Sequence, residues 1–248
     1  MNQKIDPAAL IPLDIFESSE PIKIDLVYAK SNHPRNIFEE ALYLPDARLW
    51  AHKDIAAITL LTARTLYKKY GWVLEIQDCL RTVDAQAAMQ ETSIVKAHPE
   101  WMEEPRLLAP PGKGGHPFGM AIDVGPLDDN GYKIDMGTPF DHMDEKSARD
   151  YEDFNQEILD NRKKLEAAFV ESAKALGFPF LPLPSEWWDF RFPPDYTSQF
   201  KPLSDADLPP QMQMTCKIDN RMENFNDAHF QTLADSITAL IEPHDADI

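Results

Sequence analysis

The chain has 248 residues, enough for one large domain or two small ones. With 43% hydrophobic and 27% charged residues it should fold around a packed core. Its net charge of -18 argues against extended contact with nucleic acid or with anionic membrane surfaces, which both call for a basic face.

Cys79 and Cys216 are too few for a disulfide framework. The segment Met1 to Leu13 carries Lys4 and Asp6 and lacks the apolar core of a signal peptide. No stretch approaches a membrane span. Unless a leader has been removed, the expected location is cytoplasmic.

Taken in chain order, Ile24 to Tyr28 alternates as a strand does. His52 to Tyr70 reads as a helix with an apolar stripe of Ile55, Ile58, Leu61 and Leu66, basic residues in its last turn and Gly71 as the stop. Trp72 to Gln77 reads as a half-buried strand, with Asp78 to Arg81 at its end. Asp84 to Val95 is a second helix, Pro105 to Gly119 a loop, and Met120 to Val124 a short strand. Ser147 to Leu176 is helical with a break near its start, and Gly177 ends it. Glu186 to Phe192 is aromatic and strand-like. After a proline-punctuated region, Asn226 to Ile241 is an amphipathic helix with Phe230, Leu233, Ile237 and Leu240 on one face. Strands and helices mix without βαβ regularity, so the expected class is α+β: one domain over 1–248, with a C-terminal extension from about residue 195.

Two stretches carry chemistry. In Gly114-Gly115-His116-Pro117-Phe118-Gly119-Met120-Ala121-Ile122-Asp123, an imidazole and a carboxylate stand seven residues apart, and both are zinc-ligand types. Taken alone, the pair fits a loop histidine and a strand-end aspartate with no metal. In Ser185-Glu186-Trp187-Trp188-Asp189-Phe190, carboxylates flank a tryptophan pair, and buried carboxylates need a metal or a guanidinium as partner. If this stretch is extended, Glu186 and Asp189 fall on opposite faces. Arg81 is a candidate guanidinium.

The first stretch resembles the Ser-x-His-x-x-Gly-x-Ala-x-Asp signature of the zinc D,D-peptidase family that includes the vancomycin-resistance D-Ala-D-Ala dipeptidases. Glu186-Trp187-Trp188 resembles that family's Glu-Trp-Trp-His. The run Asp135 to Ser147, the segment Asp78-Cys79-Leu80-Arg81 and the pair Tyr28-Ala29 resemble further signatures of the dipeptidase subgroup, in the same order. The resemblance spans about Ile24 to Phe190. It implies the family's hedgehog-like fold, an antiparallel central sheet flanked by helices, and hydrolysis of a small D-amino-acid dipeptide. It further implies His116 and Asp123 as zinc ligands, Glu186 as the base for the attacking water, Arg81 as oxyanion stabiliser, and Asp141 and Tyr28 as substrate contacts.

Two positions depart from the pattern. Gly114 stands where the signature has serine, which leaves open a different small peptide as substrate. Asp189 stands where the family's third ligand is histidine. Aspartate is a ligand type too, but two carboxylates offset a divalent ion, and an oxygen-richer set moves preference from zinc toward Mn or Fe. On charge alone, histidine at 189 should bind zinc better. His142 could supply the missing imidazole only if it faced the same site as its neighbour Asp141, the expected substrate contact. The alternative reading is a catalytically impaired relative that binds a cell-wall-type peptide or a partner.

Overall fold

The structure, a computed structural model, describes residues 2–103 and 106–247. Among the described residues nine strands form: β1 (Gln3–Lys4), β2 (Leu10–Pro12), β3 (Ile22–Ile24), β4 (Trp50–His52), β5 (Val73–Asp78), β6 (Ala121–Leu127), β7 (Leu181–Pro182), β8 (Asp189–Arg191) and β9 (Phe200–Lys201). The α-helices are α1 (Lys53–Tyr70), α2 (Val83–Glu91), α3 (Ser93–Ala97), α4 (Gln156–Ala175), α5 (Pro194–Thr197) and α6 (Asp227–Ile241).

Helix α1 starts where expected because the His52 side chain accepts from the Asp54 N–H. It stops at Gly71, whose φ of 69° lies in the left-handed region that glycine enters without a Cβ penalty. Other boundaries differ from the sequence expectation. Thr92 splits the second helix by capping α3 through the Val95 N–H. Helix α4 begins only after its cap Asn155, whose side chain accepts from the Ile158 N–H, so Phe154 lies before the helix. Phe154 instead packs where a Cβ on Gly137 would fall, 2.7 Å from the ring. Ile24 ends a strand that began at Ile22, and Val27–Ala29 is a 3-10 turn.

The main sheet has five strands in the order β3-β5-β6-β8-β7. Every pairing is antiparallel except β3 with β5, so the expected antiparallel sheet carries one parallel edge strand. β5 is buried on both faces, beyond the half-burial expected. By alternation, Leu74, Ile76, Ile122, Val124 and Phe190 share one face. Helix α4 covers that face through Phe169, stacked 3.9 Å from Phe190 between ring centroids. The opposite face is polar: Glu75 and Gln77 on β5, Asp123 on β6, Asp189 and Arg191 on β8.

Helix α6 packs against the same chain, with Phe230, Ala234, Ile237 and Ile241 buried and the Phe230 ring 5.5 Å from Trp50. Leu240, expected on the buried face, is 43% exposed; Ala234 and Ile241 complete the stripe instead. Strand β9 pairs with β1, which ties the region after residue 195 to the N-terminus. Among the described residues no helix is long and apolar enough to cross a membrane.

Candidate active site

The site is built on one rung of the polar sheet face. Register places Asp123 of β6 directly opposite Asp189 of β8. A bulge between Ile76 and Asp78 brings Asp78 of β5 opposite Asp123 on its other side. Three aspartates therefore stand in a row, all 1% exposed or less. Like charges opposed across strands repel, and buried charges need partners, so the row is tenable only with cations against it.

Three cations supply that compensation. Arg81 donates from Nε to Asp78 Oδ2 at 2.8 Å and from Nη2 to Asp123 Oδ2 at 3.3 Å, while its guanidinium lies 5.4 Å from the centre of the Tyr28 ring. Arg191 grips Asp189 with two hydrogen bonds, Nε to Oδ1 at 2.7 Å and Nη2 to Oδ2. His116 Nε2 lies 3.5 Å from Asp123 Oδ1 and 3.2 Å from Asp189 Oδ2.

His116 reaches this position from the 3-10 turn His116–Phe118, which Gly119 closes at a φ of 61°. Gly115 lets that turn pack tightly, since a Cβ there would lie 2.8 Å from the Ala121 Cβ. His116 Nδ1 donates to the Cys79 carbonyl at 2.7 Å. A carbonyl can only accept, so this bond directs Nε2 at the carboxylates.

Glu186 joins the cluster by a route the sequence did not suggest. Residues Glu186 to Trp188 form a turn ahead of β8, not the start of a strand. The turn wraps Glu186 back, so that Asp123, Glu186 and Asp189 offer carboxylate oxygens within 4.8 Å of one another. Trp187 anchors it by donating from Nε1 to Thr138 Oγ1 at 2.8 Å, and Arg149 clamps the adjoining backbone by donating to the Asp189 and Leu183 carbonyls.

Crowding sets the titration of these groups. Burial, with the neighbouring Asp189 charge, pushes the Glu186 carboxyl up to about 8. Burial would push Asp189 up as well, but the Arg191 cation and the His116 contact outweigh it and hold Asp189 well below the usual carboxylate range. Burial disfavours charge on His116, yet the Asp123 charge and the close approach of Asp123 and Asp189 raise it to about 10. At the far wall, Tyr28 donates its hydroxyl to Asp141. Burial and the Asp123 charge lift the Asp141 carboxyl to about 7. Asp141 sits at a φ of 57°, a strained position for a residue with a Cβ.

A cavity of about 480 Å³ opens onto His116, Asp123, Asp189, Glu186, Arg81 and Asp141, with Tyr28 also in its wall. All seven residues expected to form a site thus meet at one cavity. His142 does not join them; it is turned outward and paired with Asp144 at 2.8 Å. Gly114 also lines the cavity, at a φ of 84° that favours glycine.

Two overlapping groups, Asp78 with His116 and Asp123, and Asp123 with Glu186 and Asp189, each bring ligand atoms within 4.8 Å of one another, close enough to hold a divalent cation. Asp123 Oδ1 is buried without a hydrogen-bond partner, beside an imidazole nitrogen and a second carboxylate. That is the mix of nitrogen and oxygen donors such ions take.

A family model described as D-ala-D-ala dipeptidase matches residues 9–204. The chain belongs to this dipeptidase family. It is 30% identical over 173 residues to the D-alanyl-D-alanine dipeptidase of Escherichia coli (strain K12), a stretch covering 69% of this chain and 79% of that protein. Family membership makes a hydrolytic, metal-dependent peptidase the frame for the cluster, and a small peptide the class of substrate.

Sequence reasoning missed Arg191, Asp78 and Arg149. Arg191 was within reach: it stands two residues after Asp189 on a strand, which puts both side chains on one face. Asp78 was quoted in a motif, but its place in the row depends on a bulge that no local pattern announces.

Proposed function

We propose that the protein is a metal-dependent dipeptidase that hydrolyses D-alanyl-D-alanine or a closely related small dipeptide. The observation that carries this reading is the convergence of His116, Asp123, Asp189, Glu186, Arg81 and Asp141 on one cavity whose size suits a dipeptide. In this reading the chain acts as a single peptidase-like domain, and the region from about residue 195 is an extension of it.

His116, Asp123 and Asp189 would hold the cation. Zinc suits one imidazole and two carboxylates, and the oxygen-rich set also suits Mn or Fe. When bound, such an ion supplies Lewis-acid polarisation of the scissile carbonyl and acidifies a water. Glu186 takes the proton of the attacking water and returns it to the departing amine, a role suited to a carboxyl raised toward neutrality. Arg81 spends Nε and Nη2 on the aspartates; Nη1 makes no hydrogen bond among the described residues and is free for the developing oxyanion. Asp141, steadied by Tyr28, receives the substrate ammonium.

A second reading has one observation in its favour. Arg191 engages both oxygens of Asp189, and a protein that lost turnover would retain peptide binding without needing the metal. Metal analysis combined with a dipeptide screen separates the two. The enzyme reading expects one bound divalent ion per chain and hydrolysis of D-Ala-D-Ala that a chelator stops. Peptide binding unaffected by chelation, with no hydrolysis, would overturn it.

A further inference from the structure

We infer that Asp189 and Arg191 work as one uncharged ligand unit, Arg191 being the residue that positions and charge-balances Asp189 at the metal site. The inference rests on the proposal above that Asp189 is a ligand.

The geometry comes first. Arg191 and Asp189 lie two apart on β8, on one face of the strand. The guanidinium holds the carboxylate at two points, Nε to Oδ1 at 2.7 Å and Nη2 to Oδ2, while Oδ2 also faces His116 Nε2 at 3.2 Å. Such a fork fixes the plane of the carboxylate and aims one oxygen at the imidazole. The Arg191 side chain is only 14% exposed and the Asp189 side chain 1%, so the pair is sheltered from solvent screening.

A Cβ on Gly114 would sit 3.4 Å from Arg191 Nη1, at ordinary van der Waals distance, so position 114 lies against the guanidinium. The two departures noted in the sequence, glycine at 114 and aspartate at 189, therefore meet at one residue. Aspartate brings a negative charge that the row of Asp78, Asp123 and Asp189 does not tolerate by itself. Arg191 offsets it, and Gly114 lies against Arg191.

The consequence concerns the metal. An Asp–Arg pair is neutral overall, as an imidazole is. Counted with its arginine, the His116/Asp123/Asp189 set presents one uncompensated carboxylate, not two. Histidine at 189 alone would then be a poor repair, because it leaves a buried, unpaired guanidinium beside the cation. Removing both charges together restores the balance.

The test is zinc affinity by isothermal titration calorimetry on the full-length wild type, Asp189→His, and Asp189→His with Arg191→Met, thermal melts confirming that each folds. The unit predicts that Asp189→His binds zinc at least tenfold more weakly than wild type, and that adding Arg191→Met recovers at least tenfold. Equal affinity in the single and double variants, or single-variant affinity above wild type, would overturn it. The same comparison with Asp189→Asn in place of Asp189→His serves if the histidine variants do not fold. The underlying reading fails differently: a wild type that takes up no zinc, or whose affinity is unchanged by His116→Ala, refutes the metal site itself.

Discussion

His116 donates its Nδ1 proton to the carbonyl oxygen of Cys79 across 2.7 Å. That bond joins the turn carrying His116 to the end of β5 and leaves Nε2 facing Asp123 and Asp189. His116→Ala should therefore weaken divalent-metal binding on the order of 100-fold, since loss of groups that merely orient a ligand costs 10- to 100-fold. Equilibrium dialysis against zinc reads this directly.

Asp141 should give substrate binding its pH dependence. Burial and the Asp123 charge raise its carboxyl to about 7, so the ionised form that attracts an ammonium is lost as pH falls through that value. KM should rise as pH drops below about 7, whereas kcat should already fall below about 8 as Glu186 takes up a proton. Asp141→Asn should raise KM throughout and flatten its pH profile. Steady-state kinetics between pH 5.5 and 8.5, about one and a half units either side of that value, checks both.

A second polar cluster on the same sheet face is structural. Arg35 pairs with Glu75 at 2.5 Å and also with Asp25, and neither the Arg35 nor the Glu75 side chain exceeds 9% exposure. Arg35→Ala leaves a buried carboxylate unpaired and should cost about 3–5 kcal/mol in urea unfolding. Metal affinity should not change. Burial would raise the Glu75 carboxyl, but the Arg35 hydrogen bond and charge outweigh it and lower it. A folded pKa below the unfolded one means this contribution is present above the unfolded carboxylate value and fades as pH falls through the folded one. In Arg35→Ala that acid sensitivity should shrink or reverse.

Helix α6 should matter for stability and not for chemistry. Phe230 is 4% exposed and packs against Trp50, whose strand leads into α1. Phe230→Ala should cost about 3–5 kcal/mol by cavity formation. A chain ending near Met222 should sediment as a less stable monomer.

Local signals were legible where one residue sets the geometry. His52 and Gly71 bounded α1 to within a residue, and Asn226 placed the start of α6 because its side chain accepts from the His229 N–H. The site was legible through His116, Asp123, Glu186 and Asp189 as a pattern. Its construction was not. Whether Glu186 and Asp189 share a face turned on the Trp187–Trp188 turn, which is fixed by distant bonds to Thr138 and Ser147. The charge argument at Asp189 left out Arg191, although two-residue spacing on the expected strand already puts both side chains on one face. Asn155 was readable as a cap and would have placed α4 correctly.

The most direct test of the account is turnover of D-alanyl-D-alanine by metal-replete wild type and by Glu186→Ala, with metal content and fold verified in both. Glu186 lies beside Asp123 and Asp189 with its carboxyl raised to about 8, and its side chain makes no hydrogen bond among the described residues. The account predicts clear wild-type hydrolysis and a loss on the order of 100- to 10,000-fold in the variant at unchanged metal occupancy. Wild-type turnover in Glu186→Ala, or no hydrolysis by the metal-loaded wild type, would contradict it.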